Sequence, residues 1–312
     1  MLGSVIPFET NFDFRVWSRV CCTARQIAFE GSPLRHLLIR IIAYFRQSSH
    51  LGFVIRWRWS SLLTALSLVS CAMPPSSSVV VQQNTADWVT LTPGLERRLL
   101  RPGVQYPFST FVAIRIEMAN FTFRAHYRPG EPLALAEWQT LLGDPAVIVN
   151  TNFFDLNNQI LGVLVSDGVV YGQAYRDRGG LVQLQDGVAR VRSTITEPYQ
   201  GEALEQAVQA FPMLVTDGAA SFYNTRGDRI SRRTVIGQDA QGRLILIASS
   251  SLFGMTLVDL SAYLAGSDLG LVNAINFDGG GSTLMSVNVP DSEPTSIFSF
   301  DAVPAVLAIY PR

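Results

Sequence analysis

Lysine is absent from the 312-residue sequence, so all 24 of its Lys and Arg positions are arginines. They face 25 acidic residues, which leaves a formal net charge of -1. Beyond Glu96 the arginines are scattered along the chain, whereas nucleic-acid-binding proteins usually concentrate their cations on one face. We therefore expect no nucleic acid among the partners of this protein.

Cysteine and histidine are also scarce. The three cysteines are Cys21, Cys22 and Cys71, and His126 is the only histidine in the sequence after residue 50. The chain beyond Cys71 therefore has no thiol for a disulfide, a Cys-ligated zinc site or a cysteine nucleophile. One histidine is too few for a multi-His metal site. The sequence requires no cofactor, and it leaves Ca²⁺ and Mg²⁺ open because both bind oxygen ligands.

The N-terminal part of the sequence is basic, with eight arginines and three acids in residues 1–70. Arg56 and Arg58 precede an apolar run that ends in small residues before Cys71, which is the layout of an export signal. The run is too short to cross a bilayer as a helix. Residues 68–71, Leu-Val-Ser-Cys, resemble the bacterial lipobox, in which the signal is cut before the cysteine and the thiol is lipidated. The alternative is a buried apolar helix that ends in cysteine.

A Pro/Ser-rich stretch after Cys71 favours the lipoprotein interpretation, because such a composition forms a flexible tether. A signal peptide should begin close to the start of a protein. One hypothesis is therefore that translation starts at Leu51 or Val54. We divide the chain into 1–53 without an assigned function, 54–70 as a lipoprotein signal peptide, 71–87 as a tether and 88–312 as one catalytic domain. The protein is expected to be exported to the bacterial cell envelope and anchored to the membrane through Cys71.

The globular part contains many short apolar strands and about three helices, without regular βαβ alternation. This pattern predicts an α+β domain with a mixed, mainly antiparallel sheet and a few covering helices. The expected helices cover residues 132–142, 201–210 and 256–265. Strands over 110–118 and 120–127 are expected to pair around a turn, and so are strands over 161–165 and 169–171.

Three local motifs contain residues suited to chemistry. In residues 276–283, Asn-Phe-Asp-Gly-Gly-Gly-Ser-Thr, the glycines allow backbone amides to converge on an anion; a flexible hairpin turn is the alternative. Residues 149–155 place amides and a carboxylate around two phenylalanine rings, as sugar sites often do. A turn with one ring in the core would show the same pattern. Arg232-Arg233-Thr234 suits bidentate phosphate contact, although, taken alone, two adjacent arginines fit a solvated strand edge better.

Together these motifs resemble the phosphodiester glycosidase family over roughly residues 111–310. The family's Asn-x-x-Phe-Phe segment is similar to residues 150–154, followed by Gly162 and the Asp167-Gly168 turn, and its Pro-Arg-Thr-x-x-Gly segment is similar to residues 232–237. Its Asp-Gly-Gly-Gly-Ser segment is intact at residues 278–282, and residues 212–218 resemble its strand before an Asp-Gly turn. The chain departs from the family at Arg232, which replaces a proline, and over 248–252, which lacks an Asp-Gly. The family's arginine before the last strand is also absent, with Asp301 nearby.

The resemblance implies an enzyme that hydrolyses a sugar-1-phosphodiester linkage in cell-envelope or extracellular glycans. Such a reaction needs a carboxylate near C1, because the transition state resembles an oxocarbenium ion, and groups that hold the departing phosphate. The implied catalytic residues are Asp278, Arg233 and Asp155, with Asp278 as the leading carboxylate and Asp155 orienting the sugar. The implied substrate-binding residues are Asn150, Asn152, Thr234, Asp217, Gly279, Gly280, Gly281, Ser282 and Thr283.

Two other functions are left open by the residues. The departures from the family pattern leave open a non-catalytic, glycan-binding envelope lipoprotein with the same fold, since fold does not imply function. A serine hydrolase that uses Ser282 and His126 has little support, because Gly-Gly-Ser lacks the nucleophile-elbow pattern.

Overall fold

A computed structural model describes residues 87–143 and 145–312. The predictions for residues 1–53, for the signal peptide at 54–70, for lipidation of Cys71 and for the tether up to residue 86 lie outside these described residues.

Short β-branched and aromatic segments form most of the described elements. In the first half these are β1 (Val89–Thr92), β2 (Leu95–Leu100), β3 (Phe111–Ile116), β4 (Phe121–Tyr127), α1 (Leu135–Leu142), β5 (Val147–Asn150), β6 (Val163–Ser166), β7 (Val169–Gly172), β8 (Gly180–Gln185) and β9 (Val188–Ser193). In the second half they are β10 (Gln206–Ala210), β11 (Met213–Thr216), β12 (Ala219–Ala220), β13 (Thr234–Asp239), β14 (Leu244–Ser249), α2 (Leu257–Ala265), β15 (Leu271–Asn276), a 3₁₀ turn (Gly280–Ser282), β16 (Met285–Val287), β17 (Thr295–Ile297) and β18 (Ala305–Pro311).

These strands form three sheets. The first has the order β1-β2-β3-β14-β13-β15-β11-β12, the second β7-β6-β10-β8-β9 and the third β17-β16-β5-β18-β4. Every pair of named strands is antiparallel. The described residues are therefore mostly β, with two α-helices, and the prediction of an α+β domain with a mixed sheet and covering helices was wrong.

One source of that error is the segment 201–210, which was predicted to be an acidic helix. Its second half is the strand β10, which is buried along its whole length between β6 and β8. The acids that suggested a solvated helix face serve local contacts instead, because Glu205 accepts a hydrogen bond from the Gly187 amide. A strand buried on both faces loses the alternating pattern on which a sequence-based assignment depends.

The predicted pairing of β3 with β4 was also wrong, although both strands exist. β3 pairs with β2 and β14 in the first sheet, whereas β4 pairs with β18 in the third. A turn in which the Asn120 amide donates to the Glu117 carbonyl takes the chain from one sheet to the other. The β6–β7 hairpin and the helices α1 and α2 are confirmed.

The main core lies between the three sheets. It joins side chains such as Ile114 of the first sheet, Val182 of the second and Val149 of the third. Helix α2 packs Leu260 and Leu264 on the other face of the first sheet, in a separate core cluster. Within the described ranges, no helix is both long and apolar enough to cross a membrane.

The strand register places several loops of the first and third sheets together, at one end of their strands; we call this end the loop edge. In the first sheet β3, β11 and β13 begin where β14 and β15 end, and in the third β16 and β18 begin where β5 ends. The two edges are joined because the Asp278 amide donates to the Thr151 carbonyl at 2.8 Å. Residues far apart in sequence therefore meet at this edge.

Candidate functional site

A cleft of about 310 Å³ opens at the edge where the first and third sheets meet. Its volume falls in the range of small-molecule sites. The cleft has an apolar wall of Phe153, Phe211, Phe222 and Leu257, and a polar part that includes Arg233, Asp228, Asn276, Asp278, Gly279 and Gly280. Asp278 and Arg233, which are 45 positions apart in the sequence, thus line the same cleft.

Asp278 lies two residues after the end of β15 and carries a carboxyl group with a perturbed pKa. Its pKa is raised from 3.8 to about 6, mainly by burial and to a smaller extent by the charge of Asp301. Hydrogen bonds from Ser282 and from the Gly279 amide act in the opposite direction, because they favour the charged form. The Gly279 amide lies 2.8 Å from Oδ1 of Asp278. A carboxyl group with a pKa in this range is ionised at neutral pH yet poorly solvated, as catalytic carboxylates often are.

The glycine run forms a tight loop whose amides are mostly used inside the protein. The Gly279 amide donates to Asp278, the Gly280 amide donates to the Arg232 carbonyl at 2.8 Å, and the Ser282 amide donates to the Gly279 carbonyl. Gly280 has a φ of 61°, a conformation that favours glycine. The loop therefore positions Asp278 in the cleft, and most of its amides have partners before any phosphate binds.

Gly279 is required by close packing against backbone, and Gly281 lies against the Asp301 carboxylate. A Cβ on Gly279 would lie 2.6 Å from the Arg232 carbonyl oxygen, and one on Gly281 would lie 1.9 Å from Oδ2 of Asp301. The Phe300 and Asp301 amides both donate to the Gly281 carbonyl. The loop before β18 is consequently fixed against the glycine run, which brings the Asp301 charge close to Asp278.

Arg233 precedes β13, and its guanidinium is held from several sides. Nε donates to the Met255 carbonyl at 2.9 Å, while Nη2 donates to the Arg229 carbonyl at 2.6 Å and to Oδ1 of Asp228 at 3.2 Å. Burial lowers the pKa of Arg233, and the charge of Asp228 partly opposes this effect. Within the described ranges Nη1 makes no hydrogen bond, so this nitrogen is left to donate to an anion in the cleft.

Asp228 was missed by the sequence analysis, although it sets the position of Arg233. Besides the ion pair with Arg233, its carboxylate accepts hydrogen bonds from the Leu257 and Val258 amides at 2.9 and 3.0 Å. These amides open α2, where a negative charge is stabilised by the helix dipole. Asp228 follows a short polar loop, and a lone Asp after glycine gives no signal that separates this role from a turn.

Asn150 lies behind the cleft as a buried connection between strands. Its Nδ2 donates to the Asp278 carbonyl at 2.7 Å, and its Oδ1 accepts from the Thr234 hydroxyl at 2.8 Å and from the Leu284 amide at 3.0 Å. Asn150 and Thr234 are 1% and 0% exposed. The structure therefore places both beneath Asp278, where they support the loop.

Two other residues of the motif at 149–155, Asn152 and Asp155, also use their side chains for hydrogen bonds within the protein. Asn152 is buried and its Nδ2 donates to the carbonyls of Leu161, Val163 and Gln209. Asp155 accepts from the Asn157 and Gln159 amides at 2.8 and 2.9 Å, as a turn-forming aspartate does, and is not among the residues that line the cleft.

The remaining predicted residues have separate positions. Asp217 lies in the exposed turn between β11 and β12, at the end of β11 opposite to the cleft. Thr283 is fully buried after the 3₁₀ turn, whereas Ser282 contacts the Asp278 carboxyl group. Asn276, which precedes Asp278 in the motif but was not selected, lines the cleft and has a buried Oδ1 without a partner.

Metal ligation was left open by the sequence. Within residues 87–143 and 145–312, no group of three or more His, Cys, Asp or Glu side chains is arranged to hold a metal ion.

Comparison with known proteins agrees with the motifs. The mouse N-acetylglucosamine-1-phosphodiester alpha-N-acetylglucosaminidase is 28% identical over 170 residues, and the human protein is 27% identical over 186 residues. The matches cover 45% and 50% of this chain but 31% and 34% of these relatives. The chain thus spans about a third of the length of the curated relatives it matches.

Two solved structures share the fold. The catalytic domain of the zebrafish N-acetylglucosamine-1-phosphodiester alpha-N-acetylglucosaminidase, auto-inhibited by its pro-peptide, superimposes with a TM-score of 0.54 and 21% identity. That match covers 76% of this chain and 90% of the zebrafish domain. A hypothetical protein from Synechocystis matches with a TM-score of 0.52 and 14% identity, over 72% of this chain and 64% of the other.

The family model for phosphodiester glycosidase matches residues 144–310, which is more than half of the chain. This match includes the Asn150 segment, the Arg233 segment and the intact glycine motif at 278–282. The resemblance inferred from the motifs is confirmed, and the chain belongs to the phosphodiester glycosidase family.

Proposed function

We propose that this protein hydrolyses the bond between sugar C1 and phosphate in sugar-1-phosphodiesters of cell-envelope or extracellular glycans. The observation that carries the proposal is the meeting of a buried carboxyl group, Asp278, with the guanidinium of Arg233 in one cleft. The names of the mouse and human relatives describe action on an N-acetylglucosamine-1-phosphodiester, so this compound is the first substrate to test.

Asp278 supplies the negative charge that the reaction needs at C1. The transition state of glycoside cleavage resembles an oxocarbenium ion, which a carboxylate held in a poorly solvated cleft stabilises strongly. The pKa of about 6 keeps this carboxylate ionised at neutral pH. The glycine loop fixes it from one side and Asn150 fixes the backbone beneath it.

Arg233 holds the departing phosphate. Its contacts with Asp228, Arg229 and Met255 immobilise the guanidinium before substrate binds, and Nη1 is left for a phosphate oxygen. A phosphate monoester leaves as a stabilised anion, so a strong general acid on the leaving-group side is less necessary than for an ordinary glycoside. The apolar wall of the cleft completes the site, because aromatic faces cover the apolar side of a sugar ring.

The test measures release of free sugar from synthetic glycosyl-1-phosphodiesters by the wild type, Asp278→Asn and Asp291→Asn. Asp291 is a matched control because it lies in an exposed turn with a φ of 60°, which asparagine tolerates. We expect Asp278→Asn to lose orders of magnitude in turnover and the control to keep it. If the wild type binds these compounds without cleaving them, the glycan-binding lipoprotein takes the place of this proposal.

We also propose that the protein is exported and anchored in the bacterial cell envelope through a lipid on Cys71. The support is the basic lead-in, the apolar run and the Leu-Val-Ser-Cys sequence at 68–71. Mass spectrometry of the native protein should find a lipidated N-terminal Cys71, and Cys71→Ala should abolish the lipid. A soluble species that retains residues before Ser70 would contradict this part of the proposal.

A further inference from the structure

Six large, exposed apolar side chains lie in loops next to the cleft. We define the apolar rim as Phe108, Ile230, Leu252, Phe253, Phe298 and Phe300, which are between 56% and 72% exposed. These include all four of the exposed phenylalanines among the described residues. Isolated exposed apolar residues are normal, but a group around one site marks a binding surface.

Contacts between the loops bring the two parts of the apolar rim close to each other, with Arg232 between them. The rings of Phe108 and Phe253 lie 6.0 Å apart, and the backbone of Ser109 pairs with that of Phe253. Arg232 joins this part to the other loop, because its Nη2 donates to the Phe298 carbonyl at 3.1 Å and its guanidinium lies 5.1 Å from the centre of the Phe300 ring.

The apolar rim is also continuous with the cleft. Arg229 and Ser231 line the cleft, and Ile230, which lies between them in the sequence, is exposed on the rim. The backbone of Ser231 pairs with Met255, two residues after Phe253. A ligand that leaves the cleft beside this loop therefore reaches the rim directly.

Charge and polarity change along this path. The cleft presents the guanidinium of Arg233, with Arg226 and Arg229 also lining it, which suits the negative charge of a phosphodiester. The six rim side chains have no hydrogen-bonding groups, and Ile230 and Leu252 are aliphatic. Recognition of a further sugar would need donors and acceptors for its hydroxyl groups, so the rim suits a hydrocarbon chain better than a glycan.

From this arrangement we infer that the alcohol on the far side of the phosphodiester is a lipid, whose hydrocarbon chain lies on the apolar rim while the sugar phosphate occupies the cleft. The inference rests on the proposed function, because it assigns the second half of that substrate. The ligand is therefore an amphiphile with one anionic phosphate between a sugar and an apolar chain.

The experiment uses the full chain and a series of sugar-1-phosphodiesters whose alcohol is methanol, butanol or octanol, below their aggregation concentrations. Each methylene that leaves water for the rim should raise kcat/KM by up to about fourfold. Because the rim is open to solvent on one side, we expect burial equivalent to about two or three methylenes between methyl and octyl, which is a rise of about ten- to a hundredfold. The variant Leu252→Ser/Phe298→Ser should reduce the octyl-to-methyl ratio towards one. The control Val188→Ser, at a residue that is 66% exposed on β9, should keep the wild-type ratio.

Calorimetric binding of the same series to Asp278→Asn separates the two proposals. Turnover of the methyl ester without any gain for longer chains overturns the lipid inference and leaves the hydrolase proposal intact. Affinity that rises with chain length but no turnover by the wild type supports the rim and overturns the hydrolase. Two further results would overturn the inference. If the rim variant loses activity only on esters of a long oligosaccharide, assayed in parallel, the rim is a glycan site. If the rim variant changes oligomeric state in size-exclusion chromatography, the rim is a contact between copies of the chain.

Discussion

Replacing Asp278 with asparagine should stabilise the protein while it removes the activity. Asparagine has the shape of the protonated aspartic acid and carries no charge. The folded state raises the pKa of Asp278 from 3.8 to about 6, so it holds a proton that the unfolded chain has already released. Stability therefore falls as pH rises between these two values.

The size of the effect follows from the shift in pKa. One pKa unit corresponds to about 1.4 kcal/mol, so ionising Asp278 costs the folded protein on the order of 3 kcal/mol. The Gly279 amide can still donate to the Oδ1 of an asparagine, which keeps one of the two hydrogen bonds of the carboxylate. We therefore expect Asp278→Asn to gain about 1 to 3 kcal/mol near pH 8 and almost nothing near pH 4.

Urea unfolding of the full chain at both pH values measures this difference, provided that the slopes of the transitions agree. Asp291→Asn is the control, since an exposed turn aspartate should give no such dependence on pH. The prediction fails if Asp278→Asn is less stable than the wild type near pH 8, or if its free energy of unfolding changes by the same amount at both pH values. Either result would show that ionising Asp278 does not destabilise the folded protein. It would also remove the reason to consider this carboxylate tuned for catalysis.

Three further predictions concern the same site. Because catalysis needs ionised Asp278, activity should rise with pH through about 6. Asp301→Asn should move this rise to lower pH, because it removes a charge that raises the pKa of Asp278. A pH–rate profile that does not move in this variant would contradict the prediction. Arg233→Lys should lower kcat/KM by about a hundredfold or more, since an ammonium cannot keep the contacts with Met255, Arg229 and Asp228 and also reach a phosphate oxygen. A loss below tenfold in steady-state assays would refute this role. Gly254→Ala should cost about 1–3 kcal/mol by calorimetry, because its Cβ would lie 1.8 Å from a backbone carbonyl oxygen. Gly266→Ala meets its nearest atom at 3.3 Å and should therefore cost less.

Local sequence signals were sufficient for most of the strands and for two helices. Helix α2 could be placed because Thr256 is an N-cap residue whose hydroxyl accepts from the Asp259 amide. The β6–β7 hairpin followed from its Asp167-Gly168 turn, in which both residues adopt positive φ. These features depend on a few neighbouring residues, so the sequence contains the information that sets them.

The pairing of strands and the direction of polar side chains depend on distant residues. Nothing near β4 indicates that its partner is β18, about 180 positions later. Similarly, the amides of the glycine run were expected to face a phosphate, but the Arg232 carbonyl takes the Gly280 amide once β13 lies beside β15. The motif was enough to locate the cleft. Which of its polar groups face a ligand, and which bond within the protein, could be seen only from the fold.

The position of β18 has a consequence for how the protein forms during synthesis. Residues 305–311 lie between β4 and β5 and pair with both, so β4 lacks its strand partner, and β5 lacks one of its two, until this late segment has been made. Pairings across such sequence separations form slowly. The segment that holds Asn150 beneath Asp278 is therefore completed late, and a nascent chain lacks the completed cleft until residues 305–311 have emerged. If the protein is exported as proposed, this delay would help keep the chain in the unfolded form that can be moved across a membrane.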